Sequence, residues 1–370
     1  MATLSTRVLG RTLLLRQGLL ERRGATVDDA VRELVGLQAQ VPRDPYLALW
    51  SRLAPFAPSD VEVALLDRRL VRMVAMRGTI HLLTADDALA TRALFQPVLD
   101  GEMARHSEHK DQLRGLDLVP VTTFARTLLR EPHTVPRLRD ALAERFPDLD
   151  PPALALACRN TVALVQVPPR GLWSRSGAVT YVTAEHWLGR PVEAHPSLPD
   201  LLLRYLAAFG PATVADMSTW TRLTGLRAVV EQLRPKLRTW TDDDGRELLD
   251  VEDGAMATGD EAAPVRFLPE YDNALLSHAD RSRVIPPEAS ALYERRGLGI
   301  GHVLVDGLVQ ASWRLEQPRG GDAVVDVVHQ PSLRKRDLTA LLAEAERALP
   351  ILGQGTETVD VRLRAARMRP

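Results

Sequence analysis

Two glutamines, Gln38 and Gln40, stand one residue apart in the segment GLQAQVPRDPYLALWSRL. Pro42 favours an extended backbone before it, and alternate side chains of an extended segment point the same way. Both amides can therefore converge on one spot, where they could hold a water molecule or stabilise a developing cation without ionising. The alternative is that two exposed glutamines solvate the end of a helix.

A second polar group follows in the sequence MRGTIHLL, which predicts a hairpin turn at Arg77 and Gly78. Arg77, Thr79 and His81 offer a cation, a hydroxyl and an imidazole, which suit a phosphate or the edge of a base. We therefore predict that these three residues contact DNA. The alternative is a polar hairpin turn followed by an ordinary strand histidine.

The densest polar set of the chain lies in the segment FLPEYDNALLSHADRSR. A pair of carboxylates there could perform acid–base chemistry. A network of arginines and aspartates could equally pin a loop between domains. The sequence leaves both roles open for these residues, which are Glu270, Asp272, His278, Asp280, Arg281 and Arg283.

No motif in the sequence predicts a metal or a cofactor. His106 and His109 lack the i, i+4 spacing of a helical zinc site, and neither a phosphate-binding loop, a dinucleotide fingerprint nor a nucleophile elbow is present. The single cysteine, Cys158, excludes an intramolecular disulfide and lies on an apolar helical face. We expect an activity that needs no cofactor and no metal.

The chain has 47 Lys and Arg residues against 48 Asp and Glu residues, a formal net charge of -1. A generic DNA-binding protein carries a basic excess, so contacts with DNA must come from a few local arginines. Arg77 is one candidate. Arg319 in the loop QPRGGD is another, because the adjacent glycines allow the backbone to approach a groove closely. The alternative for this loop is an exposed hairpin.

The hydropathy pattern gives no sign of a membrane protein. No apolar run approaches the roughly 18 residues that a membrane helix needs. Residues 1–11 are too polar and basic for the apolar core of a signal peptide. We expect a cytoplasmic protein without a membrane partner.

Two or three helices followed by a short hairpin recur three times, which is the winged-helix arrangement. The clearest copy has helices over 201–209 and 226–233, and a hairpin whose tip is DDDG at 242–245. Short Val-rich strands and one helix characterise the end of the chain. The pattern predicts an α+β fold with three tandem winged-helix domains at 1–95, 96–189 and 190–263 and a β-rich, barrel-like domain at 264–370.

The segments LQAQ, PRDPYLALWSRL, MRGTIHLL, WTRLTGL and FLPEYDNALLSHADRSR occur in this order along the chain. Together they resemble the AlkZ-like winged-helix DNA glycosylase family of bacteria. The resemblance covers nearly the whole chain and implies the same winged-helix and β-rich domains. It also implies a monofunctional glycosylase that hydrolyses the N-glycosidic bond of alkylated purines, above all N7-alkylguanine.

The catalytic motif of this family is Gln-Φ-Gln or Gln-Φ-Asp, where Φ is aliphatic, and Gln38-Ala39-Gln40 matches the first form. The resemblance therefore implies that Gln38 and Gln40 are catalytic and places the chain nearer the azinomycin-type self-resistance branch. An N7-alkylated guanine is cationic and leaves without protonation. The amides would then orient an attacking water and stabilise an oxocarbenium-like sugar.

The implied partner is double-stranded DNA that contains alkylated purines, including bulky adducts or interstrand crosslinks, and we expect a monomer. Two other classes of protein stay open at this point. A winged-helix transcriptional regulator would bind a specific sequence, usually as a dimer, without releasing a base. A non-catalytic protein would bind damaged DNA without scission of the glycosidic bond.

Overall fold

The computed structural model describes residues 2–293, 299–317, 322–354, 356 and 359–366. Helices and strands are interspersed in a mixed α+β fold, and the described strands form three sheets. Residues 6–91, 119–188 and 198–251 each consist of helices and a hairpin, and they are called the first, second and third units below. The number of winged-helix domains and their boundaries stay predictions.

The first unit surrounds the hairpin that carries the predicted site. Thr26 caps helix α2 by accepting from the backbone N–H of Asp29 at 3.1 Å, and Pro45 lies in the first turn of α3, where a missing N–H costs nothing. The elements from residue 2 to 113 are β1 (Thr3–Leu4), α1 (Thr6–Arg16), α2 (Val27–Glu33), β2 (Leu37–Gln38), α3 (Asp44–Trp50), α4 (Pro58–Leu66), β3 (Leu70–Val74), β4 (Ile80–Thr84), α5 (Ala85–Thr91), α6 (Gln96–Arg105) and α7 (Lys110–Leu113).

A six-stranded sheet joins the first and second units in the order β2-β4-β3-β6-β7-β5. The junction is the antiparallel pair of β3 with β6, in which Arg72 lies opposite Gln166 and Met73 opposite Val165. All five residues of β3 are buried, as expected for a central strand. The second unit contains α8 (Val119–Leu128), β5 (His133–Thr134), α9 (Val135–Arg145), α10 (Pro151–Thr161), β6 (Leu164–Gln166), β7 (Thr180–Thr183) and α11 (Ala184–Leu188).

The third unit packs its helices around stacked aromatic rings. The ring of Tyr205 lies 5.3 Å from that of Phe209 and 5.0 Å from that of Trp220. Thr213 and Asp216 form a reciprocal capping box, with the Thr213 N–H donating to Asp216 at 2.8 Å. Strand β1 from the start of the chain pairs in parallel with β8. The unit contains α12 (Leu198–Phe209), α13 (Val214–Thr221), α14 (Leu226–Leu233), β8 (Leu237–Asp242) and β9 (Glu247–Val251).

The C-terminal sheet is open and not the predicted barrel. Its described strands follow the order β10-β11-β12-β13-β14, and the edge strands β10 and β14 do not pair with each other. Strands β13 and β14 are parallel, so the chain between them must cross over, and a helix makes this connection. The elements are β10 (Arg266–Leu268), α15 (Asn273–Leu276), α16 (Ser290–Tyr293), β11 (Gly301–Val305), β12 (Leu308–Glu316), β13 (Ala323–His329), α17 (Lys335–Leu352) and β14 (Val359–Ala365).

The polar segment after β10 ties the units together. Asp272 accepts from both terminal nitrogens of Arg52 at 2.8 and 2.7 Å, and both side chains are fully buried. His278 bonds the Phe209 carbonyl at 3.1 Å, and Arg283 donates to the Pro211 carbonyl at 3.1 Å. These contacts support the structural role that the sequence left open for the segment.

Replacing Asp272 by Asn should lower the free energy of unfolding by about 3–5 kcal/mol, because it leaves the charge of Arg52 buried without a counter-ion. Denaturant titration followed by circular dichroism would measure the change. The control is Arg234→Gln, which removes exposed ion pairs with Glu231 and Glu247 and should leave the unfolding midpoint nearly unchanged. Equal midpoints for Asp272→Asn and wild type would contradict a stabilising role for the buried pair.

Candidate active site

The Gln38-Ala39-Gln40 segment runs in extended form beside β4. Gln38 ends strand β2 and lies opposite His81, and the N–H of Ala39 donates to the Ile80 carbonyl at 2.7 Å. The side chain of Ala39 is fully buried. Because side chains alternate along an extended segment, this places both glutamines on the face opposite the Ala39 methyl group. The extended conformation predicted before Pro42 is therefore present.

Both glutamine carbonyls are fixed by the turn between β3 and β4. The Oε1 of Gln38 accepts from Arg77 Nη2 at 3.0 Å, and the Oε1 of Gln40 accepts from the backbone N–H of Ile80 at 3.3 Å. Neither amide nitrogen donates to a residue within the described ranges. Gln40 is exposed, whereas Gln38 is only 7% exposed, which differs from the two exposed glutamines of the alternative interpretation.

Arg77 is the centre of this arrangement. Its Nη2 also lies 3.1 Å from His81 Nε2, and its Nη1 donates to the Trp220 carbonyl of α13 at 3.0 Å. Arg77 and Gly78 both have left-handed backbones, with φ of 57° and 74°. Two such residues are typical of a tight hairpin turn, and here the turn directs the guanidinium group inward. Burial, with the nearby charges of Arg222 and Arg281, lowers the pKa of Arg77 to about 10.

His81 is a neutral acceptor for Arg77. Its Nδ1 lies 3.0 Å from the Thr79 carbonyl, which can only accept, so Nδ1 carries the proton and Nε2 accepts from Arg77. Burial, together with the charge of Arg77, lowers the pKa of His81 to about 3. The imidazole is therefore uncharged at neutral pH and does not repel the guanidinium group.

Thr79 and Arg319 were also predicted to contact DNA. Thr79 is half-buried, and its hydroxyl donates to the Met76 carbonyl at 3.2 Å. Arg319 lies outside the described residues. The structure thus brings Arg77, Thr79 and His81 to one turn with Gln38 and Gln40, and it gives Arg77 and His81 hydrogen-bond partners within the protein.

Sequence reasoning did not single out Arg72, which supports the backbone of the Gln38-Ala39-Gln40 motif. Arg72 is 2% exposed, and its Nη2 donates to the Ala39 carbonyl at 2.9 Å and to Gln166 Oε1 at 3.3 Å. Gly171 packs on it so closely that a Cβ there would lie 2.5 Å from Arg72 Cδ. A lone charge in the otherwise apolar strand LVRMV was the signal that could have identified it.

A second missed residue is Asp44, at the start of α3. Burial and the nearby carboxylates of Glu270 and Asp272 raise the pKa of Asp44 to about 8, against the opposing charge of Arg72. Asp44 Oδ2 and Glu270 Oε1 are buried atoms without a hydrogen-bond partner among the described contacts. Glu270 Oε2 accepts from the Gly299 N–H at 3.1 Å. Asp44 is therefore mainly protonated at neutral pH.

The rest of the polar set serves to hold loops. Asp280 accepts from Arg246 at 2.7 Å. Burial alone would raise the pKa of Asp280, but its hydrogen bonds outweigh burial and lower this pKa to about 2.

His106 and His109 stack with ring centroids 5.0 Å apart. Within the described ranges, no group of three or more His, Cys, Asp or Glu side chains could hold a metal ion. None of the described helices is both long enough and apolar enough to cross a membrane.

The fold and site together define a class of protein. Helical units with hairpins are typical of DNA-binding domains, and the two fixed amides offer hydrogen-bonding groups that stay neutral. A family model described as DNA glycosylase AlkZ-like matches residues 31–351, so the chain belongs to the AlkZ-like DNA glycosylase family. The chain is accordingly an enzyme of the DNA glycosylase type, a hydrolase of N-glycosyl bonds.

Two comparisons with individual proteins agree with this membership. The chain is 28% identical over 328 residues to an interstrand DNA cross-link repair glycosylase of Streptomyces sahachiroi, a match that covers 81% of this chain and 85% of the relative. The solved structure of the Streptomyces sahachiroi DNA glycosylase AlkZ superposes with a TM-score of 0.80 at 22% identity. It covers 98% of this chain and 100% of that chain, which shows that the fold is shared.

The Asp44→Asn variant should be more stable than wild type at pH 8 to 9 and gain little at pH 5. A carboxyl group whose pKa is higher in the folded than in the unfolded state loses stabilising protonation as the pH rises from about 4 through about 8. An amide at this position cannot ionise and avoids that loss. Melting temperatures measured between pH 5 and pH 9 test the difference.

The matched control is Asp148→Asn, which removes an exposed carboxylate. Its melting temperatures should run parallel to those of wild type across the same range. Curves for Asp44→Asn that also run parallel to wild type would show that Asp44 does not titrate differently in the folded protein.

Proposed function

We propose that this enzyme hydrolyses the N-glycosidic bond of alkylated purines in duplex DNA, with N7-alkylguanine as the principal substrate class. The observation that carries the proposal is the fixed position of the Gln38 and Gln40 carbonyls on one turn. Alkylation at N7 makes guanine a cationic leaving group, so no strong acid is needed near the base. The remaining task is to orient water against an oxocarbenium-like sugar, which neutral amides can perform.

The two glutamines divide this task by their surroundings. Gln40 Oε1 accepts from a neutral backbone N–H and keeps a second lone pair, with which it can orient the attacking water. Gln38 Oε1 accepts from the cationic Arg77 and is the weaker acceptor. We assign its amide N–H groups to an acceptor on the substrate, such as O6 on the major-groove edge of guanine. Glutamine is a weaker base than aspartate, which suits an already activated lesion.

Bulky adducts and interstrand crosslinks extend the proposed substrate class. A crosslinked base cannot rotate fully into a closed pocket. The Streptomyces sahachiroi relative carries the name of a cross-link repair glycosylase, which supports the extension. We further propose that the enzyme acts as a monomer and that it protects a bacterium from a DNA-alkylating natural product.

A transcriptional regulator and a non-catalytic damage-binding protein are the alternatives from the sequence. Membership of a glycosylase family favours catalysis. Duplex DNA with a single N7-methylguanine separates a glycosylase from the two alternatives. A glycosylase releases free base and leaves an alkali-sensitive abasic site, whereas a regulator or a binding module retards the duplex in a gel without producing strand scission.

The variants Gln38→Ala and Gln40→Ala should each slow single-turnover release of N7-methylguanine by about tenfold or more, which corresponds to about 1.4 kcal/mol of barrier. Release by the wild-type enzyme should persist in EDTA. Gln112→Ala, at an exposed position on α7, is the control and should retain the wild-type rate. Because Gln38 is buried against Arg77, melting temperatures must accompany the rates. Wild-type rates in both active-site variants would remove the motif from the mechanism.

The proposal also includes contacts with DNA by four residues, which are Arg77, Thr79, His81 and Arg319. For Arg77, its hydrogen bond to Gln38 adds a second role, that of orienting the catalytic amide. Arg77→Ala should therefore reduce the single-turnover rate at saturating enzyme by about tenfold or more. A rate equal to wild type, with a salt dependence of binding shallower by about one unit, would instead assign Arg77 to a phosphate alone.

A further inference from the structure

The C-terminal end of α13 lies against the active-site turn. The Trp220 carbonyl, in the last turn of this helix, accepts from Arg77 at 3.0 Å. Two residues later, Arg222 caps the helix through its N–H, which donates to the Ser218 carbonyl at 2.8 Å. The third unit is thus anchored beside Gln38 and Gln40, because the Arg77 side chain bonds the backbone carbonyl two residues before Arg222.

Arg222 has a backbone conformation that favours glycine. Its φ of 61° and ψ of 15° are left-handed, and a side chain in this region costs free energy that glycine does not incur. Arginine at such a position is a local disadvantage for folding. Glycine at this position would therefore remove the side chain without straining the backbone.

The guanidinium group of Arg222 is exposed to solvent. Within the described ranges it forms no hydrogen bond or ion pair. Burial, and then the charges of Arg222 and Arg281, lower the pKa of Arg77. Arg281 is already engaged, since its Nη1 donates to the Tyr293 hydroxyl at 2.7 Å. The rim of the site therefore carries a positive charge with no counter-ion of its own among the described residues.

We propose that Arg222 binds a backbone phosphate of the DNA strand at the active site, next to the nucleotide that Gln38 and Gln40 act on. An exposed guanidinium group without a protein partner matches a phosphodiester oxygen in charge and geometry. The contact would let the third unit hold the DNA on the turn of the first unit. This inference rests on the proposed glycosylase function of the same site.

The test is Arg222→Gly, which removes the charge and suits the backbone conformation. The folded protein should melt at the wild-type temperature or above, so a loss of binding cannot be a loss of folding. Affinity for an undamaged duplex should fall by about threefold to tenfold. The slope of log affinity against log salt should become shallower by about one unit. Arg222→Lys should keep most of the wild-type slope, because it keeps the positive charge.

The matched control is Arg68→Gly. Arg68 is also an exposed arginine with φ of 61°, but it lies over Trp187 rather than at the active-site turn. Its replacement should leave the salt slope unchanged. An unchanged slope for Arg222→Gly, or equal changes in both glycine variants, would overturn the phosphate contact at the site.

Base release separates this inference from the function on which it rests. Binding is measured on undamaged duplex, so it does not depend on catalysis. If the wild-type enzyme releases N7-methylguanine while Arg222→Gly keeps the wild-type slope, the inference fails and the glycosylase function stands. If the slope falls but the wild-type enzyme releases no alkylated base, the DNA contact stands and the glycosylase function fails.

Discussion

The buried ion pair between Arg52 and Asp272 is the interaction on which the other contacts between units depend. Arg52 follows α3, the helix that comes directly after the Gln38-Ala39-Gln40 segment, and Asp272 caps α15 by accepting from the Ala274 N–H at 2.9 Å. Arg52 also donates to Gln17 at 3.3 Å, and Gln17 in turn donates to the Ala208 carbonyl at 2.9 Å. Removing one partner of a buried ion pair leaves the other charge uncompensated, so this pair favours the arrangement of the surrounding units that keeps both side chains together.

The electrostatics of the site follow from keeping its hydrogen-bonding groups neutral. His81 is buried and uncharged, the two glutamines cannot ionise, and Asp44 holds its proton at neutral pH. Among the described residues, Arg77 is then the cation that bonds to a glutamine side chain of the motif, while Arg72 bonds to the Ala39 carbonyl. In the proposed reaction, a positive charge so close would oppose the sugar cation, and negatively charged DNA around the turn would offset this. Such a site would depend on its substrate for part of its charge balance.

The sequence predicted well those helices and strands whose boundaries depend on residues nearby in the chain. Helix α14 lies where the sequence placed it, at 226–233, because its boundaries depend on nearby turn residues. The two-residue strands β1 and β5 and the open C-terminal sheet depend on partners distant in the chain. The role of Arg72 likewise depends on Gln166, 94 residues away. The proposal that Gln38 and Gln40 are catalytic came from the resemblance of several segments, since the spacing of the two residues alone also fits glutamines that solvate the end of a helix.

The shared six-stranded sheet has a mechanical consequence. Strand β3, which leads into the active-site turn, is paired on its other side with β6 of the second unit, so a hinge between these two units would break ladder hydrogen bonds. Domain closure, the usual way for an enzyme to surround its substrate, is thereby disfavoured along this seam. If duplex DNA binds at this turn as proposed, the duplex, rather than the seam between the two units, would have to deform. Lesions that already weaken stacking would need the least work to do so, which would make DNA flexibility itself a criterion for selection.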